Sequence, residues 1–155
     1  MNIIYPVIAF IAGAGMSVQT AVNSRLSDGI GGQPVIASLM SFVVGLICLL
    51  VLSFFCSDWQ VATANMGSQS TWRWLGGAIG AVIVFTSVIL AQKLGVANTM
   101  FIFVTGQLVM GMLIDSYGLI EMPRYPLYWW KVAGMSIMLV GLVLFVFGDR
   151  WLEKV

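Results

Sequence analysis

The chain has 155 residues, 60% of them hydrophobic and 8% charged, with a formal net charge of +1 and a mean hydropathy of +1.00. Soluble domains carry roughly 25% charged residues, so this is the composition of an integral membrane protein whose length is nearly all consumed in spanning segments, which excludes a large multidomain enzyme. Its seven scattered Lys and Arg residues make no basic patch for nucleic acid, and without histidine, CxxC or clustered carboxylates it lacks the ligands of a transition-metal or zinc site.

The predicted fold class is all-α, a single membrane domain of five transmembrane helices over residues 3–24, 34–56, 72–92, 96–118 and 127–148. No cofactor is expected. The first segment, MNIIYPVIAFIAGAGMSVQTAVNSRL, lacks the basic start and clean cleavage site of a signal peptide, so it is expected to stay as a helix, with Pro6 in its first turn. Arg25, Ser27, Asp28 and the cluster Gly29, Gly31, Gly32 are expected to end it, and Pro34 to open the second helix. Residues 57–71, rich in Ser, Gln and Asn, predict a solvent loop, with Trp59, Trp72 and Trp74 marking an interface. Lys93, Leu94 and Gly95 leave room only for a tight turn between the third and fourth helices. Gln92 and Lys93 are expected to snorkel there. A short stiff loop with Glu121, Pro123, Arg124 and Pro126 then leads into the fifth helix. Cys48 and Cys56, eight positions apart, stand about 12 Å apart along a helix, too far for an intrachain bridge.

The fourth segment, VANTMFIFVTGQLVMGMLIDSYG, carries the functional lead. A run of about 20 apolar residues spans the bilayer core, which puts Gln107 near the midplane, where a polar group needs a protein partner or a cavity. Asp115 lies eight positions on, about 80° around and 12 Å along the helix, so the two could edge one broad cavity with Gly111 between them. Asp115 also stands close enough to the helix end to sit in the interfacial zone. On the first helix Gly13, Ser17, Thr20 and Ser24 form a stripe suited to packing, since hydroxyls can bond the carbonyl one turn back. Gln19 and Asn23 form a second stripe whose amides need an outside partner, as interhelical bond or cavity lining.

Lipid supplies no hydrophobic drive between helices, so small residues carry their association. Ala37, Ser41 and Gly45 step by four on the second helix, as do Gly76 and Gly80 on the third. Gly134, Gly141 and Gly148 step by seven on the fifth, a seam suited to packing within a protomer or to a subunit contact. Five spans place the termini on opposite faces, with Arg73, Arg124 and Lys131 on one and Arg25, Lys93, Arg150 and Lys154 on the other. Because Lys and Arg near span ends set orientation, this near tie predicts insertion both ways or pairing with an oppositely oriented homologue. A single orientation with the carboxyl terminus inside stays open.

The segments GAGMSVQTAVNSRL, GGQPVIASLMSF and WRWLGGAIGAVIVFTSVILAQKLGVANTMFIFVTGQLVMGMLID carry a resemblance to the YdcZ-like five-helix family of the drug/metabolite transporter superfamily, long labelled a domain of unknown function. The resemblance covers nearly the whole chain, and the hairpin ending in GQLVMGMLID is its most specific part. It implies a half-size transporter of the bacterial inner membrane, similar to members that occur as one gene, as paired genes or as fused ten-helix proteins with inverted halves. By analogy with small multidrug exporters, two copies would assemble antiparallel around one pathway. Those exporters place a glutamate in the first helix for proton and drug. Here the first helix has no carboxylate within its predicted span, which leaves Asp115 as the candidate for proton coupling.

The expected function is therefore secondary transport of a small polar or amphipathic metabolite by an antiparallel homodimer. Gln19, Asn23 and Gln107 would bind the solute, Asp115 would handle a proton, and the Gly134, Gly141, Gly148 seam would pack the dimer. The alternative from another class is a nontransporting assembly subunit, or one partner of a heteromeric transporter.

Overall fold

The computed structural model describes residues 3–152 and is all-helical among them. Six α-helices are present: α1 Ile4–Gly29, α2 Pro34–Cys56, α3 Trp59–Met66, α4 Leu75–Leu94, α5 Val96–Tyr117 and α6 Trp129–Leu152, with 3-10 turns at Thr71–Trp74 and Leu119–Glu121. Five helices are long and apolar enough to cross a membrane, the third of them running from Thr71 through α4. The chain divides into two compact units, one up to Lys93 and one from Leu94.

In the first unit, α1 is longer than the 3–24 expected. Arg25, Ser27 and Asp28 lie inside the helix, and Asp28 has a polar partner on α4. The buried residues of α1 are Thr20, Asn23, Ser24 and Ser27, spaced i, i+3, i+4 and i+7 along one face. Thr20 Oγ1 donates to Ser87 Oγ of α4 at 3.4 Å, and Gln92 Nε2 donates to the Ser24 carbonyl at 3.3 Å and to Asp28 Oδ1 at 3.0 Å. Gln92 therefore ties α4 to α1 instead of snorkelling, since its two amide protons find a carbonyl and a carboxylate within reach. Helix α1 ends where Gly31 and Gly32 take φ of 80° and 72°, which lets Gly32 N–H donate back to the Ser27 carbonyl at 2.8 Å.

The interior is built from small and polar residues. Ala37, Val88 and Ala91 are the buried apolar side chains among the described residues, against eight buried Ser, Thr and Asn. Lipid-facing surface takes the large apolar side chains, and the helices approach through small ones. Gly80 of α4, for example, faces Phe42 of α2, whose ring would lie 3.9 Å from an added Cβ. Ser27 is wholly buried, and its hydroxyl has no hydrogen-bond partner among the described residues. Removing a buried unpaired polar group recovers its desolvation cost, about 1–3 kcal/mol. Ser27→Ala is accordingly expected to hold or raise thermal stability in detergent. Ser87→Ala, which deletes a paired hydroxyl, should lower it by roughly 0.6 kcal/mol. A fall for Ser27→Ala would show that this hydroxyl has a hydrogen-bond partner in the membrane-embedded protein.

The segment expected as a solvent loop after α2 is partly helical. Asp58 caps α3, its Oδ1 accepting from Gln60 N at 3.0 Å and Val61 N at 3.1 Å, so an N-cap carboxylate starts a helix that apolar periodicity does not announce. Gly95, with φ 82° and ψ 158°, is the single residue between α4 and α5.

In the second unit, α6 starts at Trp129 rather than 127, after an extended run containing Pro123 and Pro126, and continues past 148 to Leu152. Lys154 lies outside the described residues. Helices α5 and α6 pack through Phe101 and Phe145, ring centroids 5.2 Å apart and edge to face. The corner between them folds back on α5: Arg124 Nε donates to the Tyr117 carbonyl at 3.0 Å and Tyr125 N–H to the Asp115 carbonyl at 2.9 Å.

Candidate functional site

Polar side chains at spanning depth fall into separate places. Gln19 is exposed and lines a groove of about 300 Å³ with Ser41, Phe42, Gly45, Leu46 and Leu49. Asn23 is 4% exposed, and its Nδ2 has no partner among the described residues. The two amides thus do not share a surface. At 100° per residue the buried arc of α1 ends at Asn23, and Gln19 falls about 40° beyond it.

Gln107 and Asp115 line a second groove, of about 470 Å³, together with Leu108, Gly111, Met112, Lys131, Gly134, Met135 and Met138. Residues 107, 108, 111, 112 and 115 form one face of α5, and 131, 134, 135 and 138 one face of α6. The Phe101–Phe145 contact fixes the register: Asp115 follows Phe101 by 14 residues and Lys131 precedes Phe145 by 14. An antiparallel pair in that register levels Asp115 with Lys131 at the corner end, and Gln107 stands about 12 Å deeper. Tyr128 and Trp130 stack at 4.4 Å beside the corner end, as aromatic residues do at a membrane interface.

None of the three polar groups in this groove is spent inside the chain. The Gln107 amide, the half-buried Asp115 carboxylate and the exposed Lys131 ammonium have no side-chain hydrogen bond or salt bridge among the described residues. By contrast, Thr99 and Thr105 of α5 return their hydroxyls to the Gly95 and Phe101 carbonyls at 2.8 and 2.9 Å. The large groove lined by Val35, Leu39, Phe42 and Phe85 has Ser38 as its polar lining residue, and that hydroxyl donates to the Pro34 carbonyl at 2.8 Å. The Gln107 groove thus offers an acceptor, a cation and an amide to something else. An apolar wall with a few convergent polar groups is the usual makeup of a small-molecule site.

Lys131 is the groove residue that sequence reasoning counted only as a topology charge. Its signal was its spacing, three, four and seven positions before Gly134, Met135 and Met138. Of the α6 glycines, Gly134 borders the groove, and a Cβ added at Gly134, Gly141 or Gly148 would meet nothing within 4 Å.

Comparison with known proteins fits this picture of a helical membrane chain. Residues 4–144 match the family described as "Putative inner membrane exporter, YdcZ". Among curated proteins, the chain is similar to the inner membrane protein YdcZ of Escherichia coli (strain K12), with 26% identity over 130 residues, 84% of this chain and 86% of that protein. No solved structure matches it. With the family match running from the start of α1 well into α6 and five membrane-length helices beneath it, the chain belongs to the YdcZ family and is a multi-pass protein of the inner membrane.

Proposed function

We propose that the protein is a half-size secondary transporter that moves a small polar or amphipathic metabolite across the inner membrane, working as an antiparallel dual-topology dimer by alternating access. The observation that carries this reading is the open α5–α6 groove, in which Gln107, Asp115 and Lys131 lie uncommitted on a methionine-rich wall. An unspent amide such as Gln107 at membrane depth is costly unless it serves a pathway. Gln107 bonds solute, and Asp115 is the carboxylate available to exchange a proton. In the first unit, Gln19 is the amide open to a solute, from the groove it lines, whereas Asn23 is buried. The exporter description of the family supports outward movement, and an inverted pair supplies equivalent inward and outward states. The near tie of basic residues between the two faces favours such a pair.

The glycine seam supports closure of the groove by a second copy. On α6, Gly134, Gly141 and Gly148 drift by only about 20° per step, along the edge of the face that bears Lys131, Met135 and Met138. A partner seated there would wall the open side.

The test is flux. Purified protein in liposomes, screened with a panel of radiolabelled metabolites, is expected to show saturable uptake of at least one. Gln107→Leu should reduce that initial rate at least tenfold without lowering the unfolding temperature. Equal flux in the variant would remove Gln107 from the pathway. No flux for any solute would favour the nontransporting assembly subunit.

A further inference from the structure

The chemistry of the groove narrows what it can hold. At its corner end stand one carboxylate and one ammonium, level with each other and with no salt bridge between them. Asp115 is two residues from the end of α5 and Lys131 two from the start of α6, so both reach the interfacial zone where a dissolved solute arrives. Deeper in, the wall becomes Leu108, Met112, Met135 and Met138. Methionine is flexible and polarizable and adapts to varied apolar shapes. About 12 Å along α5 from Asp115 comes Gln107, an uncharged amide that both donates and accepts.

A cation alone would be repelled by Lys131, and an anion alone by Asp115. A neutral polar solute would pair with neither charge, and that omission is what makes such a site selective. A solute carrying an ammonium and a carboxylate on one carbon, with an apolar side chain, answers all four features. We infer that the α5–α6 groove binds an α-amino acid with an apolar side chain: its ammonium on Asp115, its carboxylate on Lys131, and its side chain along the methionines. Gln107 then receives the same head group farther in, since one amide can accept from the ammonium and donate to the carboxylate. The groove's volume of about 470 Å³ lies within the range of small-molecule sites, roughly 300–1,000 Å³. This inference rests on reading the groove as a solute site, and its test is arranged to fail separately from transport.

The measurement is equilibrium binding to the full-length protein in lipid nanodiscs, by titration calorimetry. The probes are L-leucine, 3-methylbutylamine, which lacks the carboxylate, and 4-methylpentanoate, which lacks the ammonium. Leucine is expected to bind at least tenfold tighter than either. Asp115→Asn should weaken leucine and the amine about tenfold and leave the acid unchanged. Lys131→Gln should weaken leucine and the acid and leave the amine unchanged. The conservative Asp115→Glu and Lys131→Arg should keep most of the affinity, which separates lost charge from lost fold. Leucine binding no tighter than its two fragments, or charge-removing variants that weaken all three probes alike, would overturn the inference. Flux that depends on Gln107 but ignores leucine would overturn it too while leaving transport standing. Leucine binding with the charge pattern intact but no flux would uphold it and remove the transporter reading.

Discussion

Gly118→Val is expected to be the most destabilising single change in the second unit, costing about 2–4 kcal/mol and lowering the thermal unfolding temperature of detergent-solubilised protein accordingly. Two effects coincide at this position. Gly118 takes φ 65° and ψ 39° at the end of α5, a left-handed conformation that costs a β-branched residue most. An added Cβ would also stand 2.5 Å from Arg124 Cγ, 3.0 Å from Arg124 Nε and 3.2 Å from the Met122 carbonyl oxygen. The arginine can move aside, but only by giving up its bond to the Tyr117 carbonyl, one of the last carbonyls of α5 that no helical N–H can reach. The Met122 oxygen is backbone and cannot move so cheaply. Placing the glycine substitution in an Arg124→Ala background separates the terms. If the clash with Arg124 contributes as argued, Gly118→Ala should cost less there than in the wild type, and strictly additive costs would show that conformation alone accounts for the effect. Because Tyr125 also ties this corner to the Asp115 carbonyl, a distorted corner should disturb the charged mouth of the groove before it unfolds the helices.

That corner also marks where the sequence stopped being legible. The spanning helices can be read from runs of apolar residues, because membrane length and backbone satisfaction leave a chain of this composition few other ways to fold. Gly95 is equally readable, since nothing else separates two such runs. The end of α1 is not. Ser27 and Asp28 look like stop signals until Gln92, 64 positions from Asp28, ties that stretch to α4. No local pattern announces such a partner. Helix α3 escapes for a different reason: its start depends on the Asp58 cap rather than on periodicity.

The groove itself was half visible. Gln107 stands out because an amide in an apolar run is costly wherever it goes. That it shares a groove with Lys131 depends on the register of α5 against α6, and that register follows from a corner in which Ile120 and Glu121, like Gly118, have φ near 60°. Isoleucine and glutamate give no warning of a left-handed backbone. A positive charge eleven residues beyond Glu121's neighbour Ile120 therefore reads as a loop charge until the fold brings it opposite Asp115.

The glycine seam of α6 yields the second large effect, because it distinguishes an antiparallel dimer from a parallel one. Gly141 lies near the middle of α6, which runs Trp129–Leu152, with Gly134 and Gly148 each seven residues away, or about 10.5 Å along the axis. If two copies cross antiparallel on this seam, Gly141 meets its own counterpart, and Gly134 of one copy lies level with Gly148 of the other. If they cross parallel, each glycine meets itself. Cysteines introduced one at a time report which holds, once the exposed Cys48 and Cys56 have been replaced by serine. A mixture of Gly134→Cys and Gly148→Cys chains should form a mixed disulfide dimer in membranes, and Gly134→Cys alone should form little, because a disulfide requires Cα atoms within about 7 Å. Gly141→Leu in the same background should reduce the mixed dimer at least tenfold, since a bulky side chain at the crossing point prevents the close approach that small residues permit. Efficient crosslinking of Gly134→Cys with itself would instead establish a parallel pair. The two charged mouths would then open on the same membrane face, and exchange by inversion would no longer follow.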